Sequence, residues 1–382
     1  MTGSKPKVLL IDMMSGANDF GRELALALAE KSVLTVVTVK NSPLGSDSDK
    51  LRYLGVFPAF GAVGGGRIEK LWQVIFAFFI LCRELIGHRH DVIHIQFFRF
   101  QFLDLLVYFS FRPFVDKIFY TAHNALPHEK KWWHEFIYRR WYNSVDCIHV
   151  LSQYAKDRIV KFAAVRDDKV IVIPHGSYSS LREKTRNNIP QSKTHYSIPE
   201  DDLLALQFGL VREYKGVDRV IALAQELPSD IKITFLIAGG GDHALIEKYQ
   251  AQVAQLNLSY RIKFIPHFLD DDELAALLDI SDMTLFPYHH IYQSGALMLA
   301  MTFGCTIVAS DIPGFKEYVT NGEDALLCRT EDTVEFSQVI RNLCADKDYR
   351  DSFGYKAETN AVIKYGWPTI ADALLKTYSE TI

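Results

Sequence analysis

Two hydrophobic rhythms alternate along this chain. Short runs rich in β-branched and aliphatic residues end in polar or small-residue loops, and each loop gives way to a stretch with helical spacing. In the first half, residues 7–11 (KVLLI), 33–39, 91–96 (DVIHIQ), 117–121 (KIFYT), 147–151 (CIHVL) and 170–173 read as strands. Residues 21–31 read as a helix that packs through Leu24 and Leu28. Residues 177–200, rich in Ser, Lys, Arg, Asn and Pro, read as a linker. The rhythm then restarts, with strands expected at 203–209, 232–238, 261–265, 283–286 and 306–309. Parallel strands require long crossover connections, so two consecutive doubly wound α/β units are the economical reading. Their expected bounds are 1–175 and 176–364.

Composition narrows the classes. Hydrophobic residues make up 48% and charged residues 23%, enough apolar surface for two cores. Lys and Arg (42) nearly balance Asp and Glu (46), so the net charge of -4 gives no general reason to expect a nucleic-acid partner. Cys82, Cys147, Cys305, Cys328 and Cys344 are scattered and read as reduced core thiols. Neither CxxC nor HExxH occurs, so no structural zinc or zinc-peptidase site is expected. The apolar run before Asp12 is too short for a signal peptide core, and a cytoplasmic protein is expected.

Two segments bear on membranes. Residues 71–82 (LWQVIFAFFILC) are too short to span a bilayer, for which about 20 apolar residues are needed. Flanked by Arg67, Lys70 and Arg83 and followed by the aromatic-rich 97–120, they suit either a buried helix, which continuous apolar character favours, or a helix lying in a membrane interface. Residues 130–141 (KKWWHEFIYRRW) combine Lys130, Lys131, Arg139 and Arg140 with three tryptophans. They suit either a membrane-water boundary or an ordinary amphipathic helix with its aromatics in the core.

The strongest chemical signal is FGLVREYKG at 208–216, directly after an apolar strand. It sets Arg212 and Lys215 at a strand's carboxyl end, where open α/β sheets bind ligands, and two such cations suit a diphosphate. As loop residues both are expected to be solvent-accessible. Gln293, Ser294 and Gly295 precede a helix whose free amides suit phosphate oxygens, with Ser294 adding a hydroxyl or simply capping the helix. Gly239, Gly240 and Gly241 after a strand allow close backbone approach by a ligand. His123, in TAHN just after a strand, can accept a proton near neutrality, and His128 and Glu129 stand in the same loop.

Taken in this order, these segments resemble the GT-B glycosyltransferases of family four (glycosyltransferase group 1) over nearly the whole chain. FGLVREYKG is similar to that family's diphosphate-binding strand-loop, IAGGGD to its glycine turn, FGCTIVASDIPGFKEYV to its late donor-domain block, and TAHNALPHE to its loop carrying an active-site histidine. YGWPTIADALLKTY resembles the terminal helix that returns to the first domain, so 365–382 is assigned to the first unit. The resemblance implies two Rossmann-like domains facing across a cleft, a nucleotide-sugar donor, and a glycan or polyprenyl-linked glycolipid acceptor. It further implies no cofactor or obligatory metal, with work in the cytoplasm or at the inner face of the cell membrane. It makes Arg212 and Lys215 the cations that stabilise the leaving diphosphate and His123 a catalytic or sugar-contacting residue. His267, Phe268, Leu269 and Glu273 fall where relatives hold the nucleobase and ribose. Gly240, Gln293, Ser294 and Gly295 fall on the donor side, and Ser15 and Gly16 approach the diphosphate or acceptor from the first domain.

One departure stands out. The family's two glutamates, eight positions apart, align with Ile291 and Leu299, which can do no carboxylate work, so Gln293 and Ser294 are the substitutes by hydrogen bonding and the stereochemical outcome is left open. The loss also admits a noncatalytic nucleotide-sugar-binding subunit as an alternative. An NAD-dependent oxidoreductase has little support, because residues 15–21 do not form GxGxxG.

Overall fold

A computed structural model of the chain describes residues 5–12, 19–40, 42, 44, 51–57, 67–96, 111–123, 133–185, 192–291 and 294–381. The chain divides into two compact units, Met1–Gly176 with Trp367–Ile382, and Ser177–Gly366.

The first unit is built on strands β1 (Lys7–Asp12), β2 (Val33–Val39), β3 (Leu51–Phe57), β4 (His90–Ile95), β5 (Val115–Ala122), β6 (Cys147–Val150) and β7 (Val170–Val172). They form one parallel sheet in the order β3-β2-β1-β4-β5-β6-β7. Helices α1 (Asp19–Lys31), α2 (Arg67–Gly87), α3 (His134–Ser144) and α4 (Gln153–Ala163) connect them. Strand order reverses between β1 and β4, the switch point where doubly wound sheets open a ligand crevice. β3 escaped the sequence reading because Arg52 and Gly55 interrupt its pattern and its middle is only partly buried, as befits an edge.

The terminal helix, Trp367–Thr381, completes this unit. It starts two residues after the sequence reading put it, because Gly366 separates it from the helix before and Pro368 suits a first turn. Trp367, Ile370, Ala371, Leu374 and Tyr378 follow helical spacing and are buried in one core with Leu24 and Leu28 of α1. A buried hydrogen-bonded chain ties it to the sheet. The Ile173 carbonyl can only accept, so His149 Nε2 donates to it (2.8 Å) and His149 Nδ1 accepts from the Thr121 hydroxyl (2.9 Å). The Thr121 oxygen then accepts from His94 Nε2 (2.7 Å), whose Nδ1 accepts from the Tyr378 hydroxyl (2.5 Å). This direction requires both histidines to be neutral. Burial supplies that condition, pushing His149 down to about 4 and His94 well below its ordinary range.

α2 departs from the buried reading of its sequence. Its inward face is buried through Ala77, Leu81 and Leu85, but Trp72, Phe76, Phe79 and Ile86 point outward. α3 is an ordinary amphipathic helix in that Ile137, Trp141 and Tyr142 are buried, with Phe136 exposed.

The second unit carries β8 (Leu203–Phe208), β9 (Ile233–Ala238), β10 (Ile262–Ile265), β11 (Met283–Phe286), β12 (Ile307–Ser310) and β13 (Leu326–Cys328), parallel in the order β10-β9-β8-β11-β12-β13. Its helices are α5 (Ser179–Thr185), α6 (Val217–Glu226), α7 (His243–Gln255), α8 (Asp271–Ile280), α9 (Gly295–Thr302), α10 (Pro313–Lys316), α11 (Thr333–Ala345) and α12 (Lys347–Tyr365). β8 and β9 are buried on both faces, as a doubly covered parallel sheet demands. The switch point lies between β8 and β11.

Candidate functional site

At the second switch point four loops meet. β8 runs into Gly209 and a single 3-10 turn, Glu213–Lys215, closed by hydrogen bonds from Lys215 N to Arg212 O (3.0 Å) and from Gly216 N to Glu213 O (3.1 Å). Gly216 has φ +71, and a Cβ there would sit 2.1 Å from the Pro287 carbonyl oxygen, so only glycine lets this turn lie against the end of β11. The buried Gln207 side chain donates to the Lys215 carbonyl (2.7 Å) and holds the turn from below.

The turn aims two cations. Arg212 is exposed. The Lys215 side chain folds inward and is half-buried: its ammonium lies 5.6 Å from the centre of the Tyr288 ring and 2.9 Å from the Cβ position of Gly209. Burial, aided by the Arg212 charge, lowers the Lys215 pKa to about 8. Among the described residues, no carboxylate forms an ion pair with Arg212 or Lys215. The ammonium is still mainly charged at pH 7, because 8 lies above it.

Tyr288 links this turn to α9. Its ring lies against those of Phe286 and Tyr214, and the Ser294 hydroxyl beside its own partly offsets the upward push that burial gives its pKa. Ser294 caps α9, accepting from Leu297 N at 3.2 Å, and Gly295 opens the helix. The basic turn and the helix start therefore share one wall. Arg219 clamps the same segment, donating to the carbonyls of Pro287 and Tyr288 (both 3.3 Å) and to His289 Nδ1 (2.7 Å).

The third and fourth loops follow β9 and β10. Gly239, with φ +144 and a Cβ position 2.4 Å from the Gly209 carbonyl oxygen, packs the glycine turn against the basic loop. Gly240, the glycine singled out from sequence, is the roomier one, with nothing closer than 3.3 Å to its Cβ position. It faces the backbone of His267 and Phe268. His267 Nε2 donates to the Glu273 carboxylate (3.1 Å), and Asp270 caps α8 through Glu273 N (2.8 Å). Phe268 is 79% exposed, whereas Leu269 is in the core, so its side chain is not a ligand contact. Leu299, at a family glutamate's place, is also a core residue.

In the first unit, β4 ends beside β1, with Gln96 N donating to Ile11 O (2.9 Å). His123 follows β5, and its Nε2 donates to Gln96 Oε1 (3.0 Å). Phe20 lies edge-on between His123 and His175, at 4.9 and 4.8 Å between ring centres. Burial, with the charges of His149 and His175, pushes the His123 pKa well below its ordinary value, so this ring is neutral near pH 7 and a weak base. Ser15, Gly16, His128, Glu129 and Gln293 lie outside the described residues. Sequence reasoning missed Gln207, Arg219 and Tyr288; the available signal was FPYHH directly after a strand.

Two family models match nearly all of the chain: Glycosyltransferase Family 4 over residues 14–177 and Glycosyl transferases group 1 over residues 188–360. The chain belongs to the group 1 glycosyltransferases. A D-inositol 3-phosphate glycosyltransferase of Nocardia farcinica is 22% identical over 60% of this chain and 51% of its own length. A GDP-mannose:glycolipid 4-beta-D-mannosyltransferase of Xanthomonas campestris is 23% identical over 60% of this chain and 64% of its own. These alignments thus span about half to two thirds of the relatives. Among solved structures, Anabaena HepE in complex with UDP and glucose superposes with a TM-score of 0.70 at 18% identity, covering 98% of this chain and 100% of that one. The shared fold is GT-B.

Proposed function

We propose that this chain transfers a sugar from a nucleotide-sugar donor to a glycan or lipid-linked glycan acceptor. The observation that carries the reading is the pair Arg212 and Lys215, without a carboxylate partner among the described residues, on one wall with the start of α9 at the switch point of the second sheet. Such a place calls for an anion. The UDP complex of HepE supports a nucleoside diphosphate there, and the glycolipid mannosyltransferase supports a lipid-linked acceptor.

In this reading the donor diphosphate lies against Arg212, Lys215 and the α9 amides, with Gly240 admitting its close approach. Phe268 stacks on the base, and the His267–Glu273 pair meets the ribose. The bond between the anomeric carbon and the diphosphate oxygen breaks, and its electron pair leaves with the diphosphate. Lys215 and Arg212 stabilise that charge where it develops, which is the role a divalent ion takes elsewhere. The acceptor hydroxyl oxygen bonds to the anomeric carbon and passes its proton to the departing diphosphate. His123, neutral and held by Gln96, contacts a sugar hydroxyl. Gln293 and Ser294 replace the family carboxylates.

Leu299 in the core favours a second reading, a noncatalytic nucleotide-sugar-binding subunit, since its apolar side chain can do no carboxylate work. Titration of UDP, GDP and ADP, then donor turnover with a polyprenyl-phosphate glycan as acceptor in the presence of EDTA, separates the two. Binding with turnover supports transfer, binding without turnover assigns the subunit, and no nucleotide binding removes both.

A further inference from the structure

We propose that the outward face of α2 docks this protein on a lipid bilayer whose headgroups are anionic. The donor-site reading plays no part in this inference. Trp72, Phe76, Phe79 and Ile86 are 66%, 60%, 63% and 71% exposed. With exposed Arg83 they follow spacings of four and three residues, which at about 100° per residue confines all five to an arc of about 80°. The stripe runs for about 20 Å at 1.5 Å per residue. The opposite face is already used: Ala77, Leu81 and Leu85 are buried, and Glu84, also buried, accepts from Arg52 at 2.8 Å. α2 is therefore fixed to its sheet and apolar on both sides, whereas a helix on a water-facing surface turns polar residues outward.

The chemistry of the stripe selects the occupant. Tryptophan and phenylalanine beside arginine are the residues of the membrane-water boundary. Among the described residues no helix is long and apolar enough to cross a membrane, so α2 lies along the surface. The topology adds a second contact. The steps β3 to β4 and β5 to β6 run in the same direction across the sheet, so right-handed crossovers put α2 and α3 on one face of it. α3 carries Phe136, 72% exposed, with exposed Arg139 and Arg140 against a single exposed acid, Glu135. Arg139 pairs with Glu135 (3.1 Å), and Arg83 and Arg140 complement anionic headgroups. A second copy fits less well: four side chains offer on the order of 500 Å², short of the roughly 800 Å² per partner of a stable dimer.

The test is co-sedimentation of the full chain with phosphatidylglycerol-containing vesicles and with pure phosphatidylcholine vesicles. The expected result is binding to the anionic vesicles that weakens with salt. Replacing Trp72, Phe76 and Phe79 together by serine reduces it by about tenfold or more, with far-UV circular dichroism and sedimentation velocity unchanged. Because the stripe is exposed, the variant keeps its core. A second measurement uses acyl-brominated lipid, which quenches tryptophan emission in the wild type and less in Trp72→Phe. Absence of vesicle binding by the wild type, or equal binding by the serine variant, overturns the proposal. So does a wild-type dimer that the serine variant turns into a monomer, which assigns the face to a second copy.

Discussion

Lys215→Met separates a residue kept for function from one kept for the fold. Methionine preserves the aliphatic packing of Lys215 against Tyr288 and removes only the charge. Folding lowers this ammonium from its ordinary 10.5 to about 8. The unfolded chain therefore binds the proton more tightly. The cost to the fold is full below about pH 8, shrinks as pH rises, and is gone above about 10.5. At pH 7 it amounts to about 3 kcal/mol as an upper figure. Relieving it should raise the melting temperature of the second unit by up to about 6–12 °C, for a unit of this size.

In the proposed site the same substitution removes a charged partner of the diphosphate, worth about 1.5–3 kcal/mol, so UDP affinity should fall about tenfold to a hundredfold. Scanning calorimetry at pH 7 and pH 10, with calorimetric titration of UDP, reads both effects. Greater stability at pH 7, a smaller gain at pH 10 and weaker UDP binding are expected together. A variant less stable than wild type, or one with undiminished UDP affinity, refutes the reasoning, because Lys215 would then be serving the fold.

Acid should weaken the first unit specifically. His149 and His175 are held at about 4 against an ordinary 6.5, so the unfolded chain takes up their protons first and stability is lost as pH falls from about 6.5 to about 4. Each withdraws about 2 kcal/mol by pH 5, and urea unfolding that is as costly at pH 5 as at pH 7 contradicts this. Tyr378→Phe deprives the buried His94 Nδ1 of its donor and should cost about 1–3 kcal/mol in chemical denaturation; an unchanged midpoint dismisses the hydrogen-bonded chain. Gly239→Ala drives a methyl to 2.4 Å from the Gly209 carbonyl oxygen and should lower both melting temperature and UDP affinity, while Gly240→Ala, whose methyl meets Phe268 N at 3.3 Å, should lower the melting temperature clearly less. Equal melting of the two variants would show that the packed loops yield.

The α/β class and the ligand-bearing loops were legible in the sequence because strand, loop and helix each leave a local pattern. Arg212, Lys215 and Ser294 could be placed from position alone, since the carboxyl end of a parallel strand and the first residue of a helix are sequence-local facts, while their roles came from the family resemblance. What was not legible is tertiary. The depth of Lys215 depends on Tyr288, which stands 73 positions away in the chain. Hydrophobic runs do not say which side they bury, so residues 71–82 suggested burial although α2 buries only one face. β13, three residues long, falls below any periodicity. His94 and His149 looked like strand residues of no special kind, and only the return of the terminal helix puts Tyr378 beside His94.

The two sheets share the order 3-2-1-4-5-6, yet their switch points are chemically unlike, and that difference sorts the substrates. In the second unit the loops present two cations, a helix start and glycine-lined backbone, an environment that favours a phosphate anion. In the first, the described residues at the strand ends are Asp12, Gln96 and a neutral His123, groups that hydrogen-bond hydroxyls and among themselves offer no counter-charge to a diphosphate. In the proposed transfer a donor with two phosphates is therefore expected at the second unit and a hydroxyl-rich acceptor at the first. His123 is at the same time a poor base, since burial lowers its affinity for a proton. In the proposed transfer the burden therefore falls on the departing diphosphate, which is where the fold keeps Lys215 charged against its own stability.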